Sequence, residues 1–305
     1  MLNNLSSVGQ QFLANLQVLQ EQMAQTQAQV SSGVRVSKPS DDPSAVGDVL
    51  QLESDLGRVN QVTGNLTQVQ GQVNTAETAL QSATQLLSQA ETLGAQGANG
   101  SLTAAQRATL GDQVGQILNQ LVSVSQTTFA GSYVFSGDQD TSPAYQLDLS
   151  NPNGVDRLIT APATRLIQDA TGITFAASKT AQDIFDHRTP TDALAPDNVF
   201  AAVNSLRIAL QNNDQPGITA ALGSLKTAQT YLGTQLAYYG GVQNQVASAL
   251  DIASKFQLQD QASLSQEKDT NMATAAVALT QEQTNLQAAL QAQAAMPKTT
   301  LFSLL

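Results

Sequence analysis

The chain has 305 residues, room for about two domains; hydrophobic residues make up 41%, aromatics 4% and charged residues 12%, and Trp is absent. With no cysteine, disulfides, Cys-ligated zinc and Cys nucleophiles are excluded, and the single histidine, His187, excludes a two-His metal site. A net charge of −11 argues against nucleic acid as a partner, and no apolar run reaches the ~18 residues of a membrane span, so no membrane insertion is expected.

Met1 to Gln10 shows no basic stretch followed by an apolar run, so no cleaved signal peptide is expected. Residues 2–30 read as an amphipathic helix, because Phe12, Leu16, Leu19, Met23, Thr26 and Val30 alternate by four and three. Gly33 stops it, since glycine takes the left-handed conformation beyond a helix end cheaply. Val34 to Asp42 is a connector; Asp42 can cap the next helix, with Pro43 at its first position. From Val49 to Ala90 an apolar seam alternates by three and four without a break, which predicts one long helix over 44–96. The seam is narrow and includes Ala, Thr and Gln, so partner choice rests on shape and side-chain amides rather than on salt bridges.

A turn follows at Gly97 to Gly100. Thr103 and Gln106 form a capping box for a helix carrying Leu110, Val114, Ile117 and Leu121. The period then changes. Tyr133-Val134-Phe135 reads as a short strand, Asn151-Pro152-Asn153-Gly154 as the turn of a hairpin, and Gly172 to Phe175 as another strand. Helical spacing returns at Val199, turns at Asp214 to Gly217, and continues through Leu225, Leu232, Tyr239 and Val246. A last helix carries Met272, Ala276, Leu279, Leu286 and Leu290 and ends at Pro297.

The expected fold is mainly α: a long antiparallel helical rod, a coiled-coil-like bundle of the N- and C-terminal halves, with a small β-containing insertion. Its parts are residues 1–43 (assembly helix and connector), 44–137 and 199–255 (the rod), 138–198 (the insertion) and 256–305 (the second assembly helix). The terminal helices have no evident partner within the chain, yet they carry Leu5, Phe12, Leu16, Leu19, Met23, Leu286, Leu290, Leu301, Phe302 and Leu304. Contiguous apolar surface of this kind marks an interaction site, and a lengthwise contact between like subunits builds a helical array. These residues are therefore candidate subunit-interface positions, together with Arg35, Asp41 and Asp42, which serve either as an intersubunit polar contact or as an ordinary helix start.

Little else suggests chemistry. Asp138-Gln139-Asp140 is like the start of a calcium loop but lacks the Gly and Glu at the required offsets. His187 reads as a surface-loop residue. There is no phosphate loop, dinucleotide fingerprint or zinc-protease motif, so neither catalysis nor a cofactor is expected.

Several blocks resemble the bacterial flagellin family. Ser31-Ser32-Gly33-Val34-Arg35-Val36 followed by Pro39-Ser40-Asp41-Asp42-Pro43 is similar to the family's N-terminal signature, and Gln96 to Thr103 with Gln106-Arg107-Ala108 to its turn between long helices. The resemblance covers roughly residues 1–137 and 200–305; the insertion matches nothing specific. Thr127 to Gly137 and the ending Leu301-Phe302-Ser303-Leu304-Leu305 favour the branch that sits between hook and filament. The resemblance implies export through the flagellar type III apparatus without a cleaved signal, and extracellular assembly into a ring of like subunits. It also implies contacts with another hook-associated protein and with flagellin, and a cytoplasmic export chaperone. Two alternatives remain at this stage: a filament flagellin, and a surface-binding module built around Tyr133, Phe135 and Tyr145.

Overall fold

The computed structural model describes residues 2–295. Seven helices and six short strands follow one another: α1 (Leu2–Ser32), α2 (Val46–Gly97), α3 (Ala104–Ser125), β1 (Thr128–Phe129), β2 (Ser132–Tyr133), β3 (Tyr145–Leu147), β4 (Val155–Arg157), β5 (Leu166–Gln168), β6 (Thr174–Ala176), α4 (Ala181–Ile184), α5 (Val199–Gln211), α6 (Gln215–Lys268) and α7 (Met272–Ala295). They form two compact units, one of residues 59–256 and one that joins residues 1–58 to 257–305. The protein is mainly α, with long helices packed antiparallel and a small insertion of two-stranded sheets.

The core unit holds nearly all of the buried apolar surface. On α2 the expected seam faces inward: Leu66, Val73, Ala76, Leu80, Ala83 and Ala90 are buried. α6 runs antiparallel to it, because Gln243 Nε2 donates to Asn74 Oδ1 at 2.9 Å while Gln229 Nε2 donates to Ser88 Oγ at 3.0 Å. α3 begins at the predicted capping box: Gln106 N donates to the Thr103 hydroxyl at 3.3 Å and Thr103 N to Gln106 Oε1 at 2.8 Å.

Three antiparallel two-stranded sheets, each a hairpin, follow α3; the first, β1 with β2, precedes the insertion and the other two lie within it. In the predicted strand at Tyr133 to Phe135, only Tyr133 enters a ladder, opposite Thr128. The chain then turns inward, and Phe135 packs edge-on against Phe185 and Tyr239, with ring centroids 5.7 and 6.4 Å away. The hairpin about Asn151 to Gly154 is present, with Tyr145 opposite Arg157 and Leu147 opposite Val155. Its turn opens earlier than expected, because Asp148 Oδ1 accepts from Ser150 N and Oγ at 3.0 and 2.6 Å. The strand expected from Gly172 is β6 and starts at Thr174, since Gly172 adopts φ +91° in the turn before it.

A buried carboxylate ties the parts of the insertion together and to Asn198, the N-cap of α5. Asp186 is fully enclosed. Its Oδ1 accepts from Asn153 Nδ2 at 2.9 Å and Asn198 Nδ2 at 2.8 Å, and its Oδ2 from Tyr145 Oη at 3.0 Å and Arg188 Nε at 2.8 Å. All its strong acceptor sites are matched, as a buried charge requires. His187 lies in a loop, half exposed; its Nδ1 is 2.6 Å from Asp197 Oδ1 and its ring stacks on Tyr231.

Candidate assembly interface

The terminal unit is built around the connector. α1 ends where Gly33 takes φ +75° and donates its N–H to the Gln29 carbonyl at 2.8 Å. The chain then pairs with the end of α6: Arg35 N donates to the Lys268 carbonyl at 2.7 Å, and Thr270 N to the Gly33 carbonyl at 2.8 Å. Arg35 lays its half-exposed guanidinium between the connector and α6. One nitrogen donates to Asp42 Oδ2 at 2.6 Å and the other to the Glu267 carbonyl at 2.5 Å. A single side chain thereby ties the connector to the last turn of α6. Lys268 completes the arrangement with a 2.6 Å ion pair to Glu53 on α2.

The two acidic residues of the connector serve local turns. Asp41 Oδ2 accepts from Ser37 N, Ser37 Oγ and Lys38 N at 3.0, 2.9 and 2.9 Å. Asp42 Oδ1 accepts from Ser44 Oγ at 2.6 Å and Ala45 N at 3.3 Å. It therefore closes a turn over Asp42 to Ala45, and α2 starts at Val46, later than the expected cap at Asp42 would place it. These bonds hold both carboxyls below their ordinary range, Asp41 chiefly through the Lys38 N–H and Asp42 chiefly through the Ser44 hydroxyl and then Arg35. Arg35 meets Asp42 but not Asp41.

Sequence reasoning leaves the terminal helices without partners in the chain; the structure pairs them with each other. α7 packs on α1, and Thr26 Oγ1 donates to Glu282 Oε1 at 3.0 Å. Two seams so distant in sequence cannot be matched by periodicity alone. Phe12, Leu16, Leu19 and Met23 lie on the Thr26 face and are half-buried, as is Leu286. Leu290 is 48% exposed. On α7 the inward positions are Ala275, Ala278, Leu279, Glu282, Leu286 and Ala289, so the predicted seam holds at Leu279 and Leu286, while Met272 and Ala276 face outward. The Leu5 side chain and residues Leu301, Phe302 and Leu304 lie outside the described residues.

Pairing two helices leaves most of their surface open. Among the described residues, the terminal unit buries only Val36, Ala45, Val49 and Ala275 of its apolar side chains. Leu13, Leu258 and Val277 are 59%, 65% and 72% exposed, and Val18 and Leu50 are also in solvent. Sequence periodicity missed Leu13, Val18 and Val277 because they stand off the seam. Charge is nearly absent as well: α1 and α7 carry one ionisable side chain each, Glu21 and Glu282, among many Gln and Ala. Such a surface offers apolar groups and side-chain amides, and no helix among the described residues is long and apolar enough to cross a membrane.

Comparison with known proteins agrees with this architecture. Residues 4–140 match the profile of the bacterial flagellin N-terminal helical region. Flagellin E of Vibrio cholerae is 30% identical over 136 residues, 44% of this chain but only 36% of that protein, so the chain spans little more than a third of that relative. Flagellar hook-associated protein 3 of Escherichia coli K12 is 24% identical over 304 residues, 90% of both chains. Among solved structures, flagellar hook-associated protein-3 from Legionella pneumophila superposes with a TM-score of 0.60 at 14% identity, over 72% of this chain and 98% of that one, a likeness of fold.

Proposed function

We propose that the chain is a member of the bacterial flagellin family, whose N-terminal helical region residues 4–140 match, and that it is the adaptor joining the flagellar hook, through another hook-associated protein, to the flagellin filament. The terminal unit carries the reading: among the described residues its buried apolar side chains are two valines and two alanines, while larger ones stand in solvent. A unit with so small a core gains stability by covering that surface, and like copies side by side in a ring would cover it. The apolar side chains in solvent that neighbouring copies would cover are Leu13, Val18, Leu258, Val277 and Leu290; Phe12, Leu16, Leu19, Met23 and Leu286, half-buried where α1 meets α7, flank them, and Leu5, Leu301, Phe302 and Leu304 are kept as candidates from the sequence. Arg35, Asp41 and Asp42 support it by holding the connector in shape.

The adaptor role is favoured over that of a filament flagellin because the relative matched over 90% of both chains is a hook-associated protein 3, whereas the match to Flagellin E stops at 136 residues. The role is structural and needs no catalysis. It also implies secretion through the flagellar type III apparatus without a cleaved signal, and a chaperone that shields the C-terminal helix beforehand. Electron microscopy of a deletion strain tests the proposal. Hooks without filaments, with flagellin shed into the medium, are expected; hooks that still carry filaments would overturn it.

A further inference from the structure

Glu282 is the sole ionisable group of α7, and it faces α1 rather than solvent. It lies on the inward seam with Leu279 and Leu286 and is half-buried. One oxygen accepts from the Thr26 hydroxyl at 3.0 Å. The other is buried and accepts from no donor among the described residues. No cation stands on either helix: the only other charge is Glu21, exposed and bonded to Gln17. Arg35 and Lys268 of the same unit are committed to Asp42 and Glu53.

A carboxylate in this position loses hydration that one neutral donor does not replace. A seam built from leucine alone would hold more tightly but would specify no register, whereas one buried polar contact fixes register at a cost in stability. We propose that Glu282 is a conformational device of the terminal pair: through Thr26 it sets the register of α1 on α7, and through its unmatched oxygen it keeps the pair easy to open. An easily opened pair can exchange its internal partner for the helices of a neighbouring copy. That consequence rests on the assembly reading above; the weakening of the pair in a single chain does not.

Amide exchange on the dilute full-length chain separates the two. Glu282→Gln keeps an acceptor for Thr26 and replaces a poorly solvated charge by a neutral amide, so protection in α1 and α7 should rise about tenfold, with α3 and α5 unchanged. Thr26→Val leaves both oxygens without a donor and should lower protection in the same helices about tenfold. The double variant T26V/E282L makes the contact wholly apolar and should exceed the wild type. If E282Q and the double variant both stay at or below wild-type protection, the device is refuted, whether or not the chain assembles. A wild-type chain that fails to restore motility to a deletion strain would instead sink the assembly reading and leave the exchange result standing.

Discussion

Arg107 Nε donates to the main-chain oxygen of Gly97 at 2.8 Å, across the turn between α2 and α3. A second nitrogen reaches the Asn99 carbonyl at 2.8 Å, and a third meets Asn213 in the turn between α5 and α6. One buried guanidinium thus satisfies the open carbonyl end of α2, where a cation is favoured, and fixes a second turn beside it. Arg107→Ala should cost the core unit about 2–4 kcal/mol in urea unfolding. Arg107→Lys should recover little, because an ammonium cannot reproduce the planar fork.

Phe129 lies against Gly71 so closely that a Cβ there would overlap its ring, whereas the space around Gly64 on the same helix is open. Gly71→Ala should therefore destabilise by about 1–3 kcal/mol through overpacking, and Gly64→Ala should stabilise by about 0.5–1 kcal/mol through helix propensity. Urea midpoints moving in the same direction would contradict this packing.

Because the terminal unit buries so few apolar side chains, α1 and α7 should exchange amide hydrogens at least about a hundredfold faster than α3 and α5 in dilute solution. Protection that is uniform through all four helices and independent of concentration would count against the assembly reading.

The connector should respond to acid. Asp41 and Asp42 are held low by their hydrogen bonds. A carboxyl lowered by folding adds stability above its unfolded value of about 4, and the contribution is lost as pH falls through the folded value. Amide protection at Lys38 and Ala45, taken relative to the intrinsic exchange rate at each pH, should therefore be steady from neutral pH down to about 4 and fall below it. At neutral pH, Asp42→Asn should speed exchange at Ala45 about fivefold.

Base should act on the core unit. Burial, and then the Asp186 charge, push the Tyr145 phenol up; burial does the same to Tyr239 and raises Tyr231 to about 12. Stability from a group raised in this way is complete below the unfolded value of about 10 and declines as pH climbs past it. The phenolate absorbance of these three tyrosines should thus appear late and together with loss of the fold. Tyr145→Phe should cost about 1–2 kcal/mol, since Asp186 keeps its other three donors.

Much of the core unit could be read from the chain alone. The α2 seam from Leu66 to Ala90, the capping box at Thr103 and the turn at Asn151 to Gly154 are local patterns, and each stands where local chemistry puts it. Phe135 was harder to place: between two glycines it resembles a strand residue, yet Phe185 and Tyr239 draw it into the core. Asp186 gave no signal, because its partners Tyr145 and Asn153 arrive from the far side of the insertion. In the terminal unit, Arg35 and Asp42 are near in sequence and their contact was foreseeable. The contact of Thr26 with Glu282 was not, since nothing in either heptad selects the other.

One property of the paired terminal helices bears on where such a joint can work. Water outside a cell ranges from fresh to briny, and contacts built on opposite charges weaken as dissolved ions accumulate. With one acid apiece and no base, α1 and α7 offer such ions almost nothing to shield. A coupling made by these two helices would hold alike in a pond and in the sea.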